Sequence, residues 1–386
     1  MIRATERKKT LFLVSTTTQP CGVESFARHV AARWGELGLE AQRLPVSGRA
    51  GDWAAIWRAL GEVDALAINL PVVAWKKVVL TPLVALVMAL LRGRGRILVL
   101  HEWADLDWRR RLVITAYALF AQRFVFSSPF VREGFAKGGV TRLLAARSVI
   151  APIPSNIPPT APDGPSPLAH RIREARAEGR IVIGHFGSIY PKKQSDFVLD
   201  VAARLRDAGH PALCLFIGDF IKGVDRVEEE FRAKVEALGL SADCLVTGYV
   251  DGARALHALF AEVDCFLYRF PEGLTSRRGS VLACLQSGKP LIVNAPSEAD
   301  EFDHHRAYRR AIADGSLILV PHEADARIYA ERLAQDECRQ DERRQDEGRS
   351  SRPLSPLYDQ CWRDAAAAVA ASLDIEPMGP APIPAE

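Results

Sequence analysis

Ten residues, PEGLTSRRGS at 271–280, gather a carboxylate, two glycines, three hydroxyls and two arginines between an apolar run, VDCFLYRF, and a helical pattern, VLACLQSG. Gly273 and Gly279 would let the backbone approach a ligand closely. A helix beginning near Ser280 would offer free amides and a positive dipole end. Thr275, Ser276 and Ser280 add hydroxyl donors, and Arg277 and Arg278 add positive charge, a setting that suits a diphosphate. Glu272 would repel phosphate, but a carboxylate only accepts hydrogen bonds and so could grip vicinal sugar hydroxyls. A carboxylate for a sugar beside an anion site for phosphates is what a nucleotide-sugar needs. The same residues would also serve as a polar loop capping a helix, and spacing alone leaves both readings open.

Other loops carry related chemistry. GHFGSIYPKKQS (184–195) follows a strand pattern and opens a helix, with Gly184 and Gly187 flanking an aromatic and Lys192 and Lys193 just before the helix. It is neither a Walker loop nor a dinucleotide fingerprint. A lysine at a helix start opposes the dipole, so an anionic ligand explains it better than local stability does. TTTQPCGVESF (16–26) puts Gly22 at the opening of the first helix, and HEWADLDW (101–108) puts His101 at the end of an apolar strand. A lone histidine there is usually structural, yet at a ligand-binding edge it could contact a reacting sugar. Asp105 and Asp107 imitate a metal-binding D-x-D, a pattern too short to carry that assignment. His304 and His305 read as part of a charged, exposed helix.

These loops need elements to hold them. At 386 residues, 48% hydrophobic and 25% charged, the chain is a globular protein long enough for two domains. A net charge of +3 is too mild to make nucleic acid the main partner. The seven cysteines are scattered without a C-x-x-C pair, which indicates neither a zinc site nor a disulfide framework and fits a reducing cytoplasm. LFLV near the amino terminus is too short for a signal peptide and reads as a first strand. The longest apolar run, 78–91, is too short to span a bilayer. It reads as a buried helix or, with Lys76, Lys77, Arg92, Arg94 and Arg96 around it, as a surface for anionic lipid.

Short apolar runs alternate with amphipathic stretches, the pattern of parallel sheets built from βαβ units. Strands are expected at 11–15, 65–70, 96–103 and 123–128, then at 181–188, 212–219, 244–250, 265–270, 290–295 and 317–320. The proline-rich 151–167 separates the two series. The expected layout is an amino-terminal domain over 1–155, a linker over 156–170 and a second domain over 171–352. A helix over 353–374 would pack back on the first domain, ahead of a disordered tail over 375–386. Within the second domain, 335–349 repeats Gln-Asp-Glu-x-Arg and reads as a solvated insertion. Two doubly wound domains would leave a cleft lined by the carboxyl ends of both sheets.

From about residue 10 to 325, and most closely over 181–293, the chain resembles the retaining GT-B glycosyltransferases of family 4, the glycosyl transferases group 1. IGHFGSIYPKKQSDFVLDVAARL, FIGD, VTGYV and FPEGLTSRRGSVLACLQSGKPLI stand in that family's order and spacing. The resemblance implies an α/β fold of two tandem Rossmann-like domains, the first for acceptor and the second for donor. It assigns Gly22 to the donor diphosphate, His101 to the transferring sugar, Lys193 to the phosphates and Val250 to the nucleobase. Glu272 would hold the sugar with Gly273, Leu274, Thr275 and Ser276. Catalysis would rest on His101, Glu272 and Lys193. Two positions depart from the family: Ser280 stands for the second glutamate of E-x7-E, which grips the ribose, and Ser188 for an arginine that partners the phosphate lysine. Arg277 and Arg278 would replace the lost charge.

The implied reaction moves a sugar, a hexose by expectation, from a nucleoside diphosphate to an acceptor hydroxyl with retention of configuration. It would use no cofactor and no metal, with the leaving phosphate taking the acceptor's proton. The expected acceptor is a bacterial exopolysaccharide or lipid-linked glycan at the cytoplasmic face of the membrane, with peripheral contact through 76–96. A nucleotide-sugar epimerase of the same fold, or a noncatalytic scaffold that lost donor binding, are the alternatives.

Overall fold

The computed structural model describes residues 8–16, 21–75, 79–162, 164–166, 168–221, 226–335 and 355–373. The chain divides into two compact units, Met1–Asn156 with Asp359–Glu386, and Ile157–Tyr358. Each is built round one six-stranded sheet in which every pairing is parallel.

The first unit contains β1 (Lys9–Ser15), β2 (Glu40–Val46), β3 (Ala65–Leu70), β4 (Gly95–Leu100), β5 (Arg123–Phe126) and β6 (Ser148–Ile150), in the order β2-β1-β3-β4-β5-β6. The second contains β7 (Ile181–Phe186), β8 (Ala212–Ile217), β9 (Cys244–Val246), β10 (Cys265–Tyr268), β11 (Leu291–Asn294) and β12 (Leu317–Val320), in the order β12-β11-β10-β7-β8-β9. Both sheets are doubly wound, as the alternation of apolar and amphipathic stretches predicts. Helices cover both faces of such a sheet, so its central strands read as unbroken apolar runs. Leu66 and Ile68 of β3 and Leu98 and Leu100 of β4 anchor one core. Ile183, Phe216, Leu267 and Ile292 anchor the other.

In the second sheet the chain winds outward from β7 through β8 to β9, then returns to β10 and winds the other way. The helices leaving β7 and β10 therefore diverge, which opens a crevice at the carboxyl ends of those two strands. Both lysine- and arginine-bearing loops picked out from the sequence leave from that point.

Two strands were not foreseen. β2 (EAQRLPV) and β6 (SVI) are the outer strands of the first sheet and stay largely half-buried or exposed. An edge strand needs no apolar run because only one side of it is paired. The proline-rich stretch forms neither helix nor strand over 151–162, and the division between units falls inside it. The helix Ser355–Ala371 lies almost wholly in the first unit: Trp362 is fully buried, stacked on His29 with ring centroids 4.4 Å apart, and Arg33 pairs with Asp359 at 2.9 Å. Residues 336–349 of the repeat, the tail over 375–386, Lys76 and Lys77 lie outside the described residues.

Candidate functional site

β7 ends at Phe186, and Gly187 follows with φ of 123°. Gly218, at the end of β8, has φ of 153°, and a side chain there would collide with the Gly187 carbonyl, so Gly218 is fixed by backbone meeting backbone and Gly187 by its φ. The chain then turns through a short 3₁₀ segment, Pro191–Lys193, closed by Gln194 in the left-handed region at φ 48°. This fold-back carries the Lys193 ammonium over Gly187, 3.5 Å from where a side chain on that glycine would begin. The ammonium also lies 5.4 Å from the centre of the Tyr190 ring.

Among the described residues no carboxylate pairs with Lys193. The nearby acids, Asp196 and Asp200, are both taken by Lys234, each at 2.7 Å. Burial, with the Arg278 guanidinium adding to it, pushes the Lys193 pKa down to about 8. Two cations from different loops thus lie close enough to repel each other, and only the second of them has a carboxylate partner.

Arg278 belongs to the loop after β10, which is bolted to the end of β11. The Asn294 side chain accepts from the Phe270 amide at 3.0 Å and donates to the Phe270 carbonyl at 2.8 Å. Gly273 has φ of 74°, and a side chain on it would strike the Ala295 carbonyl and His322. The freedom of this glycine therefore serves the packing of the loop onto β11. Leu274 is fully buried and Thr275 nearly so; the Thr275 hydroxyl accepts from Arg277 Nε at 3.3 Å. Ser276 donates both its amide (2.6 Å) and its hydroxyl (2.7 Å) to the buried Glu301 carboxylate. His305, also fully buried, lies edge-on to Tyr308 with centroids 4.8 Å apart. The segment around His304 and His305 is thus a packed support for the loop, where the sequence suggested an exposed helix.

Glu272 is ion-paired with both arginines, with Arg277 Nη2 at 3.3 Å and with Arg278 Nη2. The Arg278 guanidinium lies 4.4 Å from the centre of the Phe270 ring, and its Nε has no hydrogen-bond partner among the described residues. The Tyr308 hydroxyl holds the Arg278 carbonyl at 2.9 Å, just before the helix Gly279–Leu285 that contains Ser280. Arg269, at the end of β10, donates to the Gln194 side chain and so ties the two loops together.

The structure accordingly brings Lys193, Glu272, Arg277 and Arg278 to one place at the crevice. Leu274 and Ser276 are turned into the protein, Ser188 is exposed, and Val250 is half-buried beyond the end of β9. Sequence reasoning missed His185. Its Nδ1 donates to the Leu267 carbonyl at 3.0 Å, tying β7 to β10, and its ring packs on Tyr268 with centroids 4.5 Å apart. Burial holds its pKa down at about 4, so it is neutral. Its buried place inside the GHF run was the only signal available.

The first unit presents its own residues separately. Gly22 is exposed at the start of the helix Gly22–Arg33. Two residues on, the buried Glu24 accepts from the Ser15 hydroxyl at 2.6 Å and pairs with Arg28 at 2.6 Å. His101 follows β4 directly and is buried against Phe26. Its Nε2 lies 3.1 Å from Asn69 Oδ1, and burial pushes its pKa down to about 3. Asp107 caps the helix Trp108–Phe120 by accepting from the Arg109 and Arg110 amides at 3.0 and 3.1 Å, which accounts for it without a metal.

Residues 169–296 match the family model described as glycosyl transferases group 1. No curated protein sequence matches the chain. Among solved structures it is similar to Alr3699/HepE of Anabaena in complex with UDP, at 13% identity over 95% of this chain and 98% of that one, with a TM-score of 0.62. The same protein has also been solved with UDP-glucose. A glycosyltransferase of Rickettsia africae is similar at 12% identity, covering 96% and 97% of the two chains, with a TM-score of 0.60. WaaG, a glycosyltransferase involved in lipopolysaccharide biosynthesis, is similar at 15% identity over 96% and 100%, with a TM-score of 0.52. The two doubly wound units have the GT-B fold, and the resemblance to GT-B glycosyltransferases read from the sequence holds.

Proposed function

Because the glycosyl transferases group 1 match covers the whole crevice of the second unit, we propose that the chain is a glycosyltransferase using a nucleoside-diphosphate sugar. The observation that carries this reading is Lys193, a half-buried ammonium with no carboxylate partner among the described residues, facing Arg278 at the switch point of the sheet. Lys193 is uncompensated and the single Glu272 carboxylate is shared by Arg277 and Arg278, an excess of positive charge that costs free energy unless an anion visits it. A diphosphate fits that requirement. Charge building up on it as a leaving group would be stabilised by groups already in place, the efficient form of electrostatic catalysis.

In this reading Arg277 and Arg278 turn from Glu272 to the diphosphate, and the Glu272 carboxylate is released to accept from sugar hydroxyls. Ser280 donates one hydrogen bond to the ribose. The leaving phosphate takes the acceptor's proton in this reading, and configuration is retained. The cations supply the charge a divalent ion would otherwise bring, and turnover is expected to persist in chelator. UDP and UDP-glucose, bound by HepE, are the first donors to try. The similarity to WaaG makes a lipid-linked glycan at the cytoplasmic membrane face the first acceptor to try.

Thermal unfolding of the purified protein with a panel of nucleoside diphosphates and their sugars tests this. A donor at about a hundred times its dissociation constant should stabilise the fold by about 2.7 kcal/mol. The stabilisation should vanish in Lys193→Ala. A panel without any shift, with and without acceptor, would favour the noncatalytic scaffold. A donor processed without acceptor would favour the epimerase.

A further inference from the structure

Gln194 is one of two residues other than glycine with a left-handed backbone among the described residues, at φ 48° and ψ 37°. A turn of that kind normally goes to glycine, so a glutamine there points to a use for its side chain. Its amide donates to the Pro191 carbonyl at 2.8 Å, and its carbonyl accepts from the Phe197 amide at 3.0 Å. The main chain at Gln194 is therefore the corner between Lys193 and the helix Phe197–Asp207. Its side-chain oxygen accepts from Arg269.

Arg269 is half-buried just past the end of β10, and among the described residues no carboxylate pairs with it. Its Nε is buried without a hydrogen-bond partner, and its guanidinium lies 5.1 Å from the centre of the Phe197 ring. That ring meets the fully buried Tyr329 edge-on, centroids 5.0 Å apart, and the Tyr329 hydroxyl donates to the Tyr268 carbonyl at 3.1 Å. Both ends of Arg269 are thus fixed, its main chain by β10 and its head by Phe197. Packing alone would be served better by an apolar side chain, because a buried arginine without a counter-ion costs free energy. What the arginine adds is the hydrogen bond to Gln194.

That bond has a force to oppose. Lys193 directly precedes Gln194, and Arg278 repels its ammonium. Of the other charged or titratable groups around it, Asp196 and Asp200 are held by Lys234, Glu272 is held by Arg277 and Arg278, and His185 is neutral. None of them draws the ammonium back. A lysine free to move would swing to water, relieving repulsion and burial together.

We propose that Arg269 is a positioning residue for the anion site: by holding Gln194 in its left-handed turn, it keeps Lys193 folded over Gly187 and toward Arg278. Its purpose rests on the donor reading of the crevice; the position of the ammonium can be measured without a donor.

NMR of the full chain, with lysine isotope-labelled at Cε, tests it, the Lys193 signal being assigned by its loss in Lys193→Arg. In wild-type protein that signal should titrate near pH 8. Arg269→Met removes the donor and fills a similar space. Gln194→Gly removes the acceptor, suits the positive φ and leaves every charge in place. Both should raise the titration by about one unit or more, toward 10.5, and weaken UDP-glucose about threefold or more in calorimetry at pH 7. The melting temperature of Gln194→Gly should stay level with wild type. Arg269→Lys, which keeps a donor, should fall between wild type and Arg269→Met. A titration unmoved in both variants overturns the proposal. So does a rise in Arg269→Met alone, which would trace to the lost arginine charge, and so does unchanged UDP-glucose affinity where the titration moves. Wild-type protein that binds no nucleotide-sugar, while both variants shift the titration, would sink the donor reading and uphold the positioning of Lys193.

Discussion

The loops that leave β7 and β10 bring cations to the same crevice but hold them differently. Lys193, after β7, stands without a carboxylate partner among the described residues, and burial depresses its pKa. Arg277 and Arg278, after β10, share the single Glu272 carboxylate as a counter-ion. The first is preorganised for an anion and destabilises the free protein; the second is satisfied until an anion competes for it. Carrying both allows strong stabilisation of a diphosphate without leaving three buried cations unpaired beforehand. The contrast makes different mutational signatures.

The largest effect should come from Lys193→Ala. If the ammonium stabilises a leaving diphosphate, kcat/KM for sugar transfer should fall roughly 10²–10³-fold. The melting temperature should stay level or rise, since removing an unpaired half-buried cation relieves desolvation. A variant that keeps its activity, or loses it only by unfolding, would erase the distinction between the two loops.

Next is the support of the second loop. Gly273→Ala puts a side chain against the Ala295 carbonyl at a positive φ and should cost about 2–4 kcal/mol in denaturant unfolding. Gly279→Ala, at the first position of a helix, should be nearly silent. Equal effects would mean that the loop is not bolted to β11 as described.

Smaller, and opposite in sign between two ligands, is the effect of Glu272→Gln. Freeing the arginines should tighten UDP by roughly three- to tenfold, given the cost of breaking an existing ion pair. Transfer from UDP-glucose should fall, because the sugar loses its acceptor. Calorimetry showing weaker UDP binding would place Glu272 as a structural brace only.

The ease with which these elements could be read follows from where their partners lie in the chain. β3, β4, β7 and β10 are central, and their cores show as apolar runs; β2 and β6 are edges and show nothing comparable. Lys193 and Glu272 stand out because their surroundings in sequence are unusual for a buried turn. The grip of Glu301 on Ser276, 25 residues away, and of Asn294 on Phe270, 24 residues away, carry no local signal. The same holds for Gly273: its type announces a special conformation, but only the fold shows that Ala295 imposes it. The pairing of Glu272 with two arginines was legible as composition and not as geometry.

The subtlest test of the comparison is pH. Lys193 titrates near 8 in the free protein against 10.5 in an unfolded chain. Between those values the unfolded chain binds more protons, so this group makes the fold more stable as pH rises through the window. Donor binding should move the other way. A bound diphosphate favours the charged ammonium, so complex formation takes up a proton above pH 8 and affinity declines there, by at most about tenfold per pH unit. UDP-glucose is the suitable ligand because its phosphates do not change charge in this range. His185 and His101, held near 4 and 3, stay neutral throughout and contribute no slope. Calorimetric affinities from pH 6 to 10 should therefore be flat and then fall, while the contribution of Lys193 to melting temperature rises over the same alkaline limb. Both trends should disappear in Lys193→Ala. Arginine keeps its charge here, so a decline that survives in the variant would move the titrating anion site away from the β7 loop.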